Sequence, residues 1–192
     1  MPPPNWRKLF HVLAGSSIPV TGMFVSSLTM IYVLSVVSGL SLLLETARFT
    51  SPTINIGLVR FFKPLLKPTD AHEVTAATYM VIAGLGCFLL FDKSIAIAVL
   101  LFLSVGDPVA ALSGIRMPGF RIGKKSPVGS ASFFFITVCL SLILWSTTTT
   151  YPLWTLIIGG AVAAVVELTP IPLDDNATIP LISGAVISML AI

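Results

Sequence analysis

The longest uncharged stretches of the chain set its architecture. Val12 to Leu44 runs for 33 residues without Asp, Glu, Lys, Arg, His, Asn or Gln. A bilayer-crossing helix needs about 20 apolar residues. The run, extended back to Trp6, therefore predicts two helices with a turn at Pro19-Val20-Thr21-Gly22. Val74 to Phe91 predicts a third span. A fourth begins at Ser94, meets Gly106-Asp107-Pro108 and continues to about Ile115. Ser126 to Val166 is 41 uncharged residues, again two spans, turning between Thr147 and Pro152. Ala177 to Ile192 is a short seventh. Between the second and third spans, Ile54 to Lys67 sets Arg60, Lys63 and Lys67 against Leu, Ile, Val and Phe. That pattern predicts a short amphipathic helix lying in the membrane interface and ending near Pro64, either as a cover over a lipid-entry portal or as a basic anchor. The expectation is an all-α polytopic membrane bundle of about seven transmembrane helices, one integral-membrane domain over residues 1–192.

Composition sharpens this. Apolar residues make up 55% and charged residues 10%, against roughly 25% charged in soluble domains. A disordered chain, an ordinary soluble enzyme and a nucleic-acid-coating surface are excluded. Cys87 and Cys139 lie inside apolar runs without metal-ligand spacing and read as small core or lipid-facing residues. The apolar stretch after Lys8 is too long for a signal peptide, and no cleavage is expected.

Charge then orients the bundle. With the N-terminus on one side, alternate crossings put Arg7, Lys8, Arg48, Arg60, Lys63, Lys67, Arg116, Arg121, Lys124 and Lys125 on that same side and only Lys93 on the other. The positive-inside rule makes the first side cytoplasmic. Trp6 falls at the inner interface, and Trp145 and Trp154 flank the outer turn as an aromatic belt. Acids say little about topology, yet Glu45, Asp70, Glu73, Asp107, Glu167, Asp174 and Asp175 all map to the cytoplasmic side, leaving Asp92 alone opposite. Acids and bases gathered at one face suggest a polar reaction site there; solvated loops are the plainer explanation.

Asp107 follows thirteen uncharged residues of the fourth span. An intramembrane carboxylate is costly and is a functional candidate by default. Gly106 and Pro108 bracket it and suggest a helix break. Asp107, Ala110 and Gly114 recur on one face, which either admits an anion and its metal or forms a packing seam. Lys124-Lys125-Ser126-Pro127-Val128-Gly129-Ser130 opens the fifth span. Two cations beside a helix N-terminus suit phosphate, although no Walker sequence is present and a basic topology loop has the same composition. Glu167 ends the sixth span. Asp174-Asp175-Asn176 follows, a donor set suited to Mg²⁺ or, through Asn176 or Asp175, to capping the seventh helix. His11 shares a helix face with Arg7 and Gly15, as a phosphate ligand, proton shuttle or interfacial residue. Glu45 and Arg48, at i and i+3, form an ion pair or touch substrate.

Taken in order, Arg7-Lys8-xx-His11-xxx-Gly15, Glu45-xx-Arg48-xxx-Pro52-xx-Asn55, Gly106-Asp107-xx-Ala110-xxx-Gly114, Lys125-Ser126-xx-Gly129-Ser130, Glu167 and Leu173-Asp174-Asp175-Asn176-xxx-Pro180 resemble the CTP-dependent lipid-alcohol kinases: dolichol kinase, phytol and farnesol kinases and the yeast-type diacylglycerol kinase. The resemblance spans about residues 6 to 185 and corresponds to a minimal catalytic core. Pro108 and Pro118-Gly119 depart from the pattern. What the resemblance implies is transfer of the γ-phosphate of CTP to the hydroxyl of a membrane lipid alcohol (a polyprenol, phytol-like alcohol or diacylglycerol), with Mg²⁺ or Ca²⁺. By the same resemblance, Asp107, Asp175, Glu167 and Lys125 are catalytic. Arg7, Lys8, Gly106, Ala110, Gly114, Lys124, Ser126, Gly129 and Ser130 bind nucleotide. His11, Glu45, Arg48 and Asn55 bind the alcohol, and Asp107, Asp174, Asp175 and Asn176 hold the metal.

Two other readings make different demands. A CTP:phosphatidate cytidylyltransferase shares an Asp-xx-Ala-xxx-Gly element, but its Lys-Lys-Thr-Trp-Glu-Gly string and terminal Pro-Gly-His-Gly-Gly motif are missing here. A small transporter would carry charge at both mouths and internal repeats.

Overall fold

The computed structural model describes residues 6–63, 65–66, 68–117, 119–123, 125–147 and 151–191, with the side chains of residues 6–8, 68 and 69 left aside. Among these the regular elements are all helices. Eight α-helices follow in order: α1 (Trp6–Phe24), α2 (Ser27–Thr50), α3 (Pro52–Phe61), α4 (Ala76–Leu90), α5 (Lys93–Arg116), α6 (Pro127–Thr147), α7 (Leu153–Leu168) and α8 (Asp175–Leu190), with a 3-10 turn over Pro68–Ala71 between α3 and α4.

Helix α5 is the hub. Its residues Ile95 to Leu103 are apolar on every side and buried on every side, as a helix without a polar face must be. It packs against α1, α4, α6, α7 and α8. Helix α2 is the opposite case. It is as apolar, yet Leu28, Tyr32, Val36, Leu40 and Leu43 are all well exposed. So long an apolar surface is unstable in water and stable against hydrocarbon. By length and composition α2, α5 and α6 can each cross a membrane; α2 and α5, at 24 residues each, reach about 36 Å.

Two expected breaks are absent, and both involve proline. Helix α1 passes through Pro19 and ends at Phe24. Pro19 is fully buried; losing one N–H there is tolerated where neighbouring helices hold the backbone. Nor is Gly22 a turn residue, for it lies against the Phe88 ring of α4, where a Cβ would come within 2.7 Å. The turn falls instead at Val25-Ser26, where the Ser26 hydroxyl caps α2 by accepting from the Thr29 N–H at 3.1 Å. Likewise α5 runs unbroken through Gly106-Asp107-Pro108.

The turns alternate between two ends. At one end the Lys93 ammonium donates to the Val25 carbonyl at 2.8 Å, closing the end of α1, and the Tyr151 hydroxyl donates to Asp92. The lone acid and base of this end are thus structural. Trp145 and Trp154 flank it, each half exposed. The ion pairs of His11 with Asp107, Glu45 with Arg48, and Lys125 with Glu167 and Asp175 lie at the opposite end.

Candidate functional site

Lys125 organises the charged end. Gly123 adopts φ +61°, a conformation open to glycine. It closes a tight turn in which Ile122 and Lys125 exchange backbone hydrogen bonds at 3.0 and 3.1 Å. Ser126 and Pro127 then start α6, with proline at the position where its missing N–H costs nothing. The Lys125 ammonium is thereby aimed across the bundle. It donates to Asp175 at the start of α8 and approaches Glu167 Oε1, in the last turn of α7, at 3.4 Å. Burial pulls the lysine toward neutrality. The hydrogen bond and charge of Asp175, then the charges of Glu167 and Asp107, outweigh it and hold Lys125 protonated above its usual range.

Glu167 is 4% exposed and engaged through both oxygens, since Oε2 accepts from the Ser130 hydroxyl in the first turn of α6. Asp107 and Asp175 are more open, at 32% and 29%, and close enough for their charges to interact. His11 Nε2 stands 3.9 Å from Asp107 Oδ2. Asp107 on α5, Lys125 before α6, Glu167 at the end of α7 and Asp175 at the start of α8 thus form one constellation.

A second polar group faces it from α2. Arg48 Nε donates to Glu45 Oε2 at 2.5 Å, Nη1 to the Asp70 carbonyl at 2.6 Å and to Asn55 Oδ1 at 3.4 Å, and Nη2 to the Glu73 carbonyl. Glu45 Oε1 accepts from the Thr75 N–H and hydroxyl and from the Thr78 hydroxyl, at 3.0, 2.9 and 2.9 Å. Asn55 Nδ2 donates to the Ala71 carbonyl at 2.9 Å. The ion-pair alternative for Glu45 and Arg48 is therefore realised. With Asn55 these side chains fasten the α3–α4 connection to the end of α2. Thr75 and Thr78, absent from the motif reading, are integral to the network. A Thr-xx-Thr pair before an apolar run is the cap signature that marks them.

Between the two groups lies a half-open cavity of about 370 Å³. Leu44, Leu58, Phe62, Leu66 and Met80 are among its apolar lining, and His11, Asp107, Asn176, Glu45 and Arg48 among its polar lining.

Other candidate residues have different surroundings. Gly106, Ala110 and Gly114 form a packing seam with α6 instead of an open face. A Cβ on Gly106 would meet the Phe133 ring at 2.6 Å, one on Gly114 would meet Ser126 at 3.1 Å, and one on Gly129 would meet the Ala110 carbonyl oxygen at 2.8 Å. Asp174, not Asp175 or Asn176, caps α8: its Oδ1 accepts from the Asn176 N–H at 2.9 Å and from Asn176 Nδ2 at 2.6 Å. Arg7 and Lys8 lie in the first turn of α1 with side chains outside the described set, as does Lys124 altogether.

The donor set limits how a metal would be held. Among the described residues no three His, Cys, Asp or Glu side chains converge on one point. With Asp174 turned to the helix cap, Asp107 and Asp175 remain. Two carboxylates fit Mg²⁺ that brings phosphate oxygens and water as its other ligands.

An uncharacterized protein of Rickettsia prowazekii (strain Madrid E) is 27% identical over 181 residues, covering 91% of this chain and 88% of that protein. No family model matches the chain. No solved structure matches it either.

Proposed function

We propose that the chain is a CTP-dependent kinase that transfers the γ-phosphate to the hydroxyl of a membrane lipid alcohol at the cytoplasmic rim of a seven-span bundle. The observation that carries this reading is a single one: the constellation of Lys125, Asp175, Glu167, Ser130 and Asp107 adjoins a largely apolar cavity, which Asp107 and its neighbour His11 line. A water-soluble triphosphate and a greasy alcohol can meet only where charge and hydrocarbon adjoin. The four shorter apolar helices, Leu9–Phe24, Ala76–Leu90, Leu153–Leu168 and Asp175–Leu190, complete the seven crossings; a bilayer thins locally around short spans.

Phosphoryl transfer is mainly a matter of positioning and charge neutralisation. Lys125 and the first turn of α6 hold the nucleotide phosphates; Arg7, Lys8 and Lys124 are assigned to the same role by the family resemblance alone. Glu167 is a positioning residue: it fixes both the ammonium of Lys125 and the hydroxyl of Ser130. Asp107 and Asp175 would hold a divalent cation, which neutralises phosphate charge when bound. The alcohol oxygen attacks the γ-phosphorus, the bond to the β-bridging oxygen breaks, and CDP departs. The hydroxyl proton passes to His11, whose cation Asp107 then faces.

The test is incubation of detergent-purified protein with γ-labelled CTP and phytol, geranylgeraniol, dolichol or diacylglycerol. Labelled lipid with release of CDP is the expected result. Labelled pyrophosphate in its place would indicate nucleotidyl transfer, and no labelled product with either CTP or ATP would end the kinase reading.

A further inference from the structure

Helix α1 packs mainly on α5, and Gly15 lies against Ser104 there. Both residues are buried. A Cβ on Gly15 would stand 2.9 Å from the Ser104 Cβ and 3.3 Å from the Met80 Cε and Sδ. The Met80 thioether ends a flexible side chain and can move aside. The Ser104 Cβ cannot, because no side-chain rotation displaces a Cβ from its backbone. Non-bonded carbons rest at about 3.5–4.0 Å, so a methyl group at residue 15 parts the two helices by up to about 1 Å. The adjacent Ser16 hydroxyl donates to the Ser104 hydroxyl at 3.1 Å, which fixes how far α1 slides along α5.

Two prolines leave both helices dependent on this contact. Pro19 has no N–H for the Gly15 carbonyl, and Pro108 has none for the Ser104 carbonyl. Each helix lacks its own bond at the residue that touches the other helix, and the neighbour supplies the constraint. One turn from the contact lies the facing pair. His11 precedes Gly15 by four residues and Asp107 follows Ser104 by three, the spacings that share a helix face. His11 Nε2 and Asp107 Oδ2 stand 3.9 Å apart.

We infer that Gly15 is a positioning residue: its missing side chain lets α1 lie close enough to Ser104 of α5 to set His11 against Asp107. The consequence for phosphoryl transfer rests on the kinase reading; the placement of the two side chains does not. With alanine at residue 15 the helices part at that level, and the separation reaches His11, one turn or about 5.4 Å along the same face. A glycine that only packs would cost stability when replaced. A positioning glycine costs alignment away from itself, and taking away the opposing Cβ reverses the loss.

The experiment reads alignment without turnover. In the intact chain carrying Cys87→Ala and Cys139→Ala, His11→Cys and Asp107→Cys are bridged in detergent by a short bis-methanethiosulfonate, and the rate is followed by mass spectrometry. Gly15→Ala is expected to slow bridging by about fivefold or more, and Ser104→Gly added to it to return the rate to within about twofold of the parent, as coupled neighbours do. Bridging at the parent rate in Gly15→Ala, or a double variant that stays slow, would overturn the inference. If Gly15→Ala does not fold, Ser104→Gly is expected to restore both the melting transition and the bridging rate; a double variant that folds without bridging, or does not fold, would equally overturn it. A second series keeps His11 and Asp107 and measures transfer from γ-labelled CTP to geranylgeraniol. There Gly15→Ala is expected to lower kcat by about ten- to a hundredfold, with KM for CTP unchanged, and Ser104→Gly to recover it. Bridging lost and restored in a protein that transfers no phosphate would sink the kinase reading alone. Transfer unchanged by Gly15→Ala would sink the positioning inference alone.

Discussion

Replacing Arg48 by Met keeps the length and apolar stem of the side chain and removes its fork. The structure says what that leaves behind. Arg48 and Glu45 have side chains only 4% and 8% exposed. Without the guanidinium, the Glu45 carboxylate stays buried with three neutral donors from Thr75 and Thr78. The carbonyls of Asp70 and Glu73 lose a charged donor each. Removing one partner of a buried ion pair costs about 3–5 kcal/mol. At roughly 2–4 °C per kcal/mol for a chain of this size, the melting temperature falls by about 6–20 °C. Thermal unfolding in detergent, followed by size-exclusion fluorescence, measures this directly. The double variant Glu45→Gln with Arg48→Met removes the stranded charge and is expected to recover part of the loss, because neighbours in one network are not additive. Arg48→Lys supplies charge without a fork and falls between. The network also anchors residues that line the cavity, so the single variant raises KM for the alcohol more than KM for CTP. An Arg48→Met protein that melts like the parent but has lost turnover would refute the reasoning and make Arg48 a substrate ligand.

Asp174→Ala removes the cap of α8 and costs about 1 kcal/mol, while Asp174→Asn retains most of it, both read from the melting temperature. Gly129→Leu drives a side chain into the Ala110 carbonyl and is expected to abolish a monodisperse elution peak; Gly39→Ala, with open space around its Cβ, leaves the protein intact or gains up to about 1 kcal/mol. The Tyr151 phenol, hydrogen-bonded to Asp92 and faced by its charge, is pushed up to about 12. Its folded-state value is raised, so its contribution to stability is complete below the ordinary tyrosine value of about 10 and disappears as pH rises through about 12. Tyrosinate absorbance should show a component near that upper value that Tyr151→Phe deletes, and a parent protein without that component would disprove the contact.

Much of this was readable in the residues because the membrane forbids most alternatives. An acid after thirteen uncharged residues has few affordable positions, and Asp107 does lie in the polar constellation with Lys125 and Asp175. Asp92 and Lys93, set apart from the other charges in the sequence, contact Tyr151 and the Val25 carbonyl. Residues whose meaning depends on a neighbour were less legible. Pro19 and Gly22 look like a turn because these residues punctuate water-soluble chains; here their neighbours in the bundle hold the helix, and Ser26 carries the real signal. Small residues at Gly106, Ala110 and Gly114 have the same spacing whether they admit a phosphate or a helix, and only Phe133, Ser126 and Gly129 show that a helix is there. The partners of Arg48 were invisible for a different reason. Two of them are backbone carbonyls, which any residue supplies, so no side-chain pattern announces Asp70 and Glu73 as acceptors.

The claim on which the account rests is that carboxylate and lysine beside the cavity perform phosphoryl transfer. Asp107→Asn is nearly isosteric and changes one charge. Single-turnover transfer from γ-labelled CTP to geranylgeraniol, measured beside an unchanged melting temperature, is expected to slow by about a hundredfold or more, the scale typical of a lost electrostatic or acid–base contribution. Turnover close to that of the parent protein would contradict the account.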